Sequence, residues 1–253
     1  MNIQKIASLG ALTLLAVAAQ AQQIAFDTGS NAVYSGSGNY NALNGGFGWN
    51  AWSVSGGANS GTSGAFVGDS LTNGGGGGPS IGRGFALYAN TGSSRTATRS
   101  LAGGAMTAGQ TMNIGFDNGW IESPGSVTLL LTGSVNFGLR FSGGTSNYVL
   151  LEGATQYDTG IGFTDGGLAL SYIIDSTATN ATLTVRRLSD NANFSITRAY
   201  TGISGISFTN NNAGFDGQRN AYINNLEVVP EPATMTVLGL AAAALARRRR
   251  KNA

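Results

Sequence analysis

Apolar and polar residues alternate along several short segments, and this alternation constrains the fold more than any other feature. It is clear over residues 136–141, 168–174, 182–186 and 194–197, where every second residue is Phe, Leu, Ile, Val or Tyr. A repeat of two places successive side chains on opposite faces of a β-strand. Each segment is therefore predicted to be a strand with one buried face, as in antiparallel sheets.

Turn-forming residues separate these segments at short intervals. Clusters of Gly, Asn, Asp and Ser recur at the spacing of roughly 8–12 residues that is typical of sandwiches, and Asp190-Asn191 suits a hairpin turn. Long runs of helix formers occur only near the two ends of the chain. The pattern predicts the all-β class, as a single antiparallel β-sandwich of jelly-roll type.

Two glycine-rich tracts, residues 36–64 and 74–78, are predicted to be surface loops because they carry few core-forming side chains. Residues 64–69 and 85–90, which flank the second tract, are predicted strands, so this tract interrupts one domain instead of joining two. The predicted organisation is a leader at 1–21, N-terminal strands and loops at 22–63, a sandwich body at 64–229 and a tail at 230–253.

The charges of the body differ from those of the whole chain, whose net charge is +2. Without Lys5 and the five basic residues at 247–251, the chain between residues 22 and 229 has 8 basic and 11 acidic residues. This mildly acidic body lacks the basic surface that nucleic-acid binding requires, so no nucleic-acid partner is predicted. The chain has no cysteine, so burial and hydrogen bonds must stabilise it.

The N-terminus has the three parts of a secretory signal peptide. Lys5 precedes an apolar stretch at residues 6–19, and Ala19 and Ala21 form an A-x-A arrangement before Gln22. Signal peptidase is expected to cleave before Gln22, after the general export machinery has engaged the leader. The alternative is an uncleaved anchor, but the apolar stretch is shorter than the roughly 20 residues that span a bilayer.

The C-terminus combines a short motif, an apolar segment and a basic cluster, in that order. Pro230, Glu231 and Pro232 precede the apolar residues 233–246. The basic stop-transfer cluster that follows consists of Arg247, Arg248, Arg249, Arg250 and Lys251. The prolines favour an extended backbone that a protease can bind, and basic residues hold a terminus on the cytoplasmic side.

This order of parts resembles the PEP-CTERM sorting domain found on exported proteins of Gram-negative bacteria. The resemblance implies a short C-terminal hydrophobic helix that anchors the protein transiently in the inner membrane. It also implies that an exosortase-type peptidase cleaves at or near Pro230-Glu231-Pro232 and passes the body to the cell surface or extracellular matrix. The alternative is a plain C-terminal anchor without sorting.

Four stretches of the body carry a second resemblance. Residues 84–90, 97–99, 109–110 and 117–121 are similar to an uncharacterised jelly-roll module of PEP-CTERM proteins and some polysaccharide-acting enzymes. The resemblance covers about residues 64–228. It implies a concanavalin-like sandwich without a known activity.

The sequence yields no predicted catalytic residue. Residues 68–72 match the nucleophile block of GDSL-type esterases, but the chain has no histidine to activate a serine. The glycine run at 74–78 lacks the Lys-Ser or Lys-Thr of a phosphate-binding loop. Five carboxylates could in principle hydrolyse glycosidic bonds, but none lies in an E-x-D strand pattern. They are Glu122, Glu152, Asp158, Asp165 and Asp175.

Two kinds of ligand site remain open. Calcium is the one cofactor considered, because Asp and Asn supply the hard oxygen ligands that it prefers. The candidates are Asp117, Asn118, Asp165 and Asp216. Each of these residues also suits an ordinary turn.

Aromatic side chains could instead bind sugars, because flat rings pack against the apolar faces of pyranoses. The candidates for glycan stacking are Trp49, Trp52, Trp120 and Tyr88, with Tyr148 and Tyr157 as further aromatic residues. Trp49 and Trp52 are predicted to be the exposed pair. The alternative is that these rings belong to the core.

The function predicted first is a non-catalytic surface or matrix protein that associates with exopolysaccharide or biofilm, as the resemblance to sorted proteins implies. A carbohydrate-binding module and a secreted polysaccharide-acting hydrolase are the alternatives. The exosortase, the export machinery and exopolysaccharide are the expected partners.

Overall fold

The computed structural model describes residues 23–36, 38–56, 61–72 and 80–230 of the chain. The predicted cleavage site at Ala19, Ala21 and Gln22 lies outside the described residues. So does the tail from residue 231 onward, with Glu231, Pro232 and the basic cluster. Pro230 is described, and it is the last residue of the final strand.

Fifteen strands and three single-turn 3₁₀ helices form the described part of the chain. The helical turns are at Ala32–Tyr34, Ser70–Thr72 and Gly217–Arg219. The strands are β1 (Ala25–Asp27), β2 (Ser53–Ser55), β3 (Ser63–Asp69), β4 (Arg83–Ala89), β5 (Ser94–Ser100), β6 (Gln110–Asn118), β7 (Ser126–Thr132), β8 (Phe137–Ser142), β9 (Asn147–Glu152), β10 (Thr155–Gly162), β11 (Leu168–Ile174), β12 (Asn180–Arg187), β13 (Asn193–Ala199), β14 (Gly205–Asn211) and β15 (Ala221–Pro230).

The strands form two sheets in which neighbours pair antiparallel. The first sheet has the order β13-β12-β11-β6-β15-β4-β3, and β1 pairs with the second half of β15. The second sheet has the order β10-β9-β8-β7-β14-β5-β2. Their apolar faces pack against each other, which confirms the predicted all-β sandwich of jelly-roll type. Strands β1 and β2 come from the predicted N-terminal segment, and each joins a different sheet.

The alternating segments that predict strands are β8, β11, β12 and β13, and their apolar faces are turned towards the space between the sheets. Phe116 of the first sheet contacts Phe208 and Tyr148 of the second, with ring centroids 6.3 and 6.4 Å apart. Each fully buried side chain of this size contributes about 1.5–3 kcal/mol. The core therefore joins the two sheets without disulfides.

The predicted hairpin at Asp190-Asn191 joins β12 and β13, which pair antiparallel. On their outer face, hydroxyl groups bond across the strands, with Thr182 2.8 Å from Thr197 and Thr184 2.8 Å from Ser195. Polar alternation thus places hydrogen-bonding side chains in solvent while the opposite face is buried.

Asp27 ties the N-terminal segment to the sandwich. Its carboxylate accepts hydrogen bonds from the Tyr34 hydroxyl and the Asn31 side chain, both at 2.5 Å, and forms a buried ion pair with Arg99 of β5. The Arg99 guanidinium lies 5.6 Å from the ring centroid of Trp49 and 5.0 Å from that of Trp52. These contacts make the segment part of the core.

Strand β15 defines two ends of the sandwich. It begins at Ala221, after the loop that contains Phe215, and finishes at Pro230. We call these the Phe215 end and the Pro230 end. At about 3.3 Å per residue, its ten residues separate the two ends by roughly 30 Å.

Candidate functional site

A shallow pocket of about 320 Å³ lies at the Phe215 end, on the outer face of the first sheet. Strands β3 and β4 form its floor, and the loop between β14 and β15 forms one wall. Its lining residues are Gly61, Phe66, Tyr88, Asn90, Phe215, Asp216, Gly217 and Asn220.

Phe66 and Tyr88 form the aromatic floor of the pocket. Their ring centroids are 6.1 Å apart, with the planes inclined by 51°. Tyr88 lies opposite Gly64 in the strand register, and a Cβ atom at Gly64 would come within 2.5 Å of the Tyr88 ring. The tyrosine ring therefore lies against the backbone of β3, which only glycine permits, and its other face is turned away from the strand.

Phe215 is the most exposed large apolar side chain of the described residues, at 76%. Its loop is held by two neighbours that follow in sequence. The Asp216 carboxylate accepts a hydrogen bond of 2.8 Å from the Gln218 amide, and Arg219 forms an ion pair of 2.9 Å with Glu122. The pocket thus has an exposed aromatic wall on an anchored loop.

Amide and carboxylate groups supply the polar lining. The Asn90 side chain donates a hydrogen bond of 2.9 Å to the Gly61 carbonyl, which leaves its own oxygen as an acceptor. Asp216 is the one charged residue of the lining. Aromatic faces beside a few polar groups form a combination suited to polar ligands with apolar faces, such as sugars.

The prediction that Trp49 and Trp52 are exposed is wrong, because each ring is only 2% accessible. The Trp49 indole donates to the Leu226 carbonyl at 3.3 Å, and the Trp52 ring lies 4.8 Å from that of Phe85. Both residues therefore belong to the core, and neither can stack on a glycan.

Trp120 is 48% exposed and packs edge-on against Phe163, with centroids 5.4 Å apart. It does not line the pocket that contains Tyr88. Of the four predicted stacking residues, Tyr88 alone lies in this pocket, and the pocket adds Phe66 and Phe215, which the sequence analysis did not select.

Two of the four predicted calcium ligands, Asn118 and Asp216, are committed to hydrogen bonds within the protein. Asn118 is committed to the protein, because its side chain donates to the Gly119 carbonyl at 2.9 Å and accepts from the Tyr148 hydroxyl at 3.0 Å. Asp216 caps its own loop. Asp117 is buried on β6, and burial raises its pKa to about 7, with a further contribution from the charge of Asp165. Within the described ranges, no cluster of three or more Asp, Glu, His or Cys residues could hold a metal ion.

Ser70 and four of the five carboxylates considered for catalysis have structural partners, and Asp165 is the exception among the described residues. Ser70 is buried, and its hydroxyl accepts a hydrogen bond of 3.2 Å from the Ile81 amide. Glu122 pairs with Arg219, and Glu152 pairs with Arg198 at 3.0 Å. Asp175 caps the turn between β11 and β12 by accepting from the Thr179 and Asn180 amides.

The sequence matches the PEP-CTERM protein-sorting motif at residues 228–251. This match confirms the resemblance at the C-terminus and implies an exported protein whose membrane-anchoring tail is cleaved by an exosortase. No curated protein sequence matches this chain. In the described part of the structure, no helix has the length and apolar character needed to span a membrane.

Solved structures share the β architecture at low identity. The receptor binding domain of botulinum neurotoxin D is 10% identical over 87% of this chain and 52% of that domain, with a TM-score of 0.44. Arcelin-5, a lectin-like defense protein from Phaseolus vulgaris, is 8% identical over 56% of this chain and 79% of its own, with a TM-score of 0.36. The CBM2 module of the evolved Dit of Lactobacillus casei BL23 phage J-1 is 15% identical, with a TM-score of 0.35, over 53% of this chain and 67% of that module. The chain thus spans about half of the toxin domain.

Proposed function

We propose that this chain is a non-catalytic surface or matrix protein that binds exopolysaccharide through the pocket at the Phe215 end. The observation that carries the proposal is the grouping of Phe66, Tyr88 and Phe215 around polar side chains in one surface pocket. The sorting motif supports the location, because it implies export. Transient anchoring in the inner membrane and a final position in the matrix are part of the proposal.

The shape and charge of the pocket favour a neutral polysaccharide. The pocket is an open cleft, so it suits a few units of a long polymer better than a fully enclosed small molecule. Its one charged residue is Asp216, and the body as a whole is mildly acidic, so an acidic glycan would be repelled.

The position of the pocket also suits a sorted protein. Asn220 in the pocket directly precedes β15, and Pro230 of the sorting motif ends the same strand. The pocket therefore lies roughly 30 Å from the motif. We expect this separation to keep the pocket clear of the membrane while the tail is inserted.

Affinity electrophoresis against exopolysaccharide from the producing strain tests the binding. Replacing Tyr88 or Phe215 by alanine should weaken binding about tenfold, which corresponds to about 1.4 kcal/mol of lost contact. Phe215→Ala should leave the unfolding temperature unchanged, because the ring is exposed.

The matched control is Trp120→Ala, which removes an exposed aromatic ring outside the pocket. It should bind like the unaltered protein. Loss of binding in Trp120→Ala but not in Phe215→Ala would show that the glycan binds outside the pocket. Absence of binding by the unaltered protein would contradict the proposed function.

Intact mass of the protein from its host tests sorting separately. A body that begins near Gln22 and ends between Pro230 and Pro232 is expected, with a longer form in cells that lack the exosortase. Retention of residues 247–253 in both strains would contradict cleavage of the tail.

A further inference from the structure

Asp117 is a buried carboxylate on the outer face of the first sheet. It pairs with Tyr222 of β15 in the strand register and is 1% accessible. Neither of its carboxylate oxygens has a hydrogen-bond partner among the residues that the structure describes. The Ser70 hydroxyl and the Asn118 amide are near enough to lower the pKa of Asp117 in part, but neither meets the geometry of a hydrogen bond to the carboxylate.

Three residues, Ser70, Ile81 and Gly82, cover this part of the sheet, and we call them the Ile81 cover. Ile81 lies over Gly115 of β6, where an added Cβ atom would be 3.0 Å from the isoleucine side chain. The Ser70 amide donates to the Gly82 carbonyl at 3.2 Å, and the Ile81 amide donates to the Ser70 hydroxyl at 3.2 Å. These bonds hold the cover closed beside Asp117.

A buried carboxylate without partners is costly, so such groups are normally neutralised, paired with a cation or bound to a metal. No lysine or arginine of the described chain forms an ion pair with Asp117, whereas the charge of Asp165 is close enough to disfavour its ionised form. The Tyr148 hydroxyl contacts the Asn118 side chain at 3.0 Å and the Thr164 carbonyl at 3.3 Å, so the turn that carries Asp165 lies beside this end of β6. This part of the sheet edge is therefore short of positive charge.

We propose that Asp117 and Asp165 bind one calcium ion beside the Ile81 cover, with the Ser70 hydroxyl nearby. The orphaned, buried oxygens of Asp117 are the observation that points to a ligand, and Asp165 supplies the second charge. Calcium fits better than magnesium, because it accepts irregular sets of six to eight oxygen ligands. Backbone carbonyl groups, and water on the side of the exposed Asp165, would complete the set.

The ion would join two parts of the Phe215 end. Asp117 is on β6, and Asp165 is in the turn before β11, where the Thr164 carbonyl accepts from the Tyr148 hydroxyl at 3.3 Å. Calcium would therefore hold this turn against the first sheet. The inference does not rest on glycan binding at the pocket.

Thermal unfolding of the processed protein, with and without calcium, tests the site. After treatment with chelator, 1 mM calcium should raise the unfolding temperature by about 5 °C, as expected for a ligand well above its dissociation constant. Terbium, a luminescent substitute for calcium, should show emission sensitised by Tyr222. Calcium should displace it.

Asp117→Asn should abolish both responses, and Asp165→Asn should weaken terbium binding at least tenfold. The matched control is Asp216→Asn, which alters a carboxylate at the same end of the sandwich and should respond normally. Asp165 is exposed, so its variant provides the test even if the Asp117 variant does not fold.

An unaltered protein without a calcium response would overturn the proposal, as would an Asp117→Asn variant that retains it. An equal shift with 1 mM magnesium would overturn the assignment to calcium.

Discussion

Asp27 lies in the N-terminal segment and Asp117 lies under the Ile81 cover, yet both carboxylates are buried. Asp27 is surrounded by donors of the protein, because Arg99, Tyr34 and Asn31 all contact it. Asp117 has no such partner within the described ranges. Asp27 is thus a structural anchor, whereas Asp117, which is equally buried, has a carboxylate without hydrogen-bond or ionic partners among the described residues.

The difference shows how two buried carboxylates can be separated into structural and ligand-binding candidates. A carboxylate that the protein fully satisfies stabilises the fold by itself, provided that every partner is present. A carboxylate that the protein leaves unsatisfied must take up a proton or a cation. Removing a partner should therefore convert the first kind into the second.

Among the changes that test this comparison, Arg99→Met should have the largest effect on stability. The substitution leaves Asp27 buried without its cation, and it removes the cationic contact with Trp49 and Trp52. The free energy of unfolding should fall by about 3–5 kcal/mol, as for other broken buried pairs. Urea unfolding followed by tryptophan fluorescence measures it.

The control for that measurement is Arg187→Met, which breaks the exposed pair with Asp190. Water screens this pair, so its loss should change the unfolding midpoint only slightly. Equal losses in the two variants would show that burial of the Asp27 pair is not what makes it important.

The second largest effect should be the contribution of Asp117 to the pH dependence of stability. Its pKa is about 7 in the folded protein and 3.8 ordinarily, so the folded state retains a proton between these values that the unfolded state releases. Stability should therefore fall as pH rises from about 4 to about 7, by up to about 4 kcal/mol in total.

The measurement requires chelator, so that no bound cation contributes. The titratable groups that interact with Asp117 are the Asp165 carboxylate and the Tyr148 hydroxyl. Asp117→Asn should abolish this part of the pH dependence. The same slope in the variant would mean that another group is responsible.

Tyr34→Phe should have a smaller effect, because it removes one donor from Asp27 and leaves the ion pair. Burial, together with the hydrogen bond to Asp27, raises the pKa of Tyr34 to about 12, so the hydroxyl is a donor at any ordinary pH. Loss of this bond to a charged group should cost about 1.5–3 kcal/mol. Urea unfolding at pH 7 measures it, and a loss as large as that of Arg99→Met would contradict the order of effects.

The strands were predictable because their chemistry is local. The alternation over residues 168–174 and the turn at Asp190-Asn191 are sufficient to predict β11 and the hairpin of β12 and β13. Pairing between distant strands was not predictable, since β6 lies between β11 and β15 through contacts that no local pattern encodes.

The site was only partly predictable, because burial depends on these long-range contacts. Trp49 and Trp52 lie in a stretch rich in Gly and Asn, which is typical of exposed loops, but Arg99 and Asp27 draw that stretch into the core. Phe66 did carry a signal. It lies between Gly64 and Gly68 on the face of β3 opposite to Ala65 and Val67, so it is an aromatic ring flanked on that face by two glycines.

The central position of β15 has a consequence for the order of events during export. This strand pairs with β6 on one side and with β4 and β1 on the other, although it is the last of the described strands to leave the translocation channel. Until its residues arrive, β4 and β6 have unpaired edges in the interior of the sheet, which are prone to aggregation. Completion of the sheet and delivery of the sorting motif therefore coincide, so the body acquires its native structure only when the signal that retains it at the membrane has also arrived.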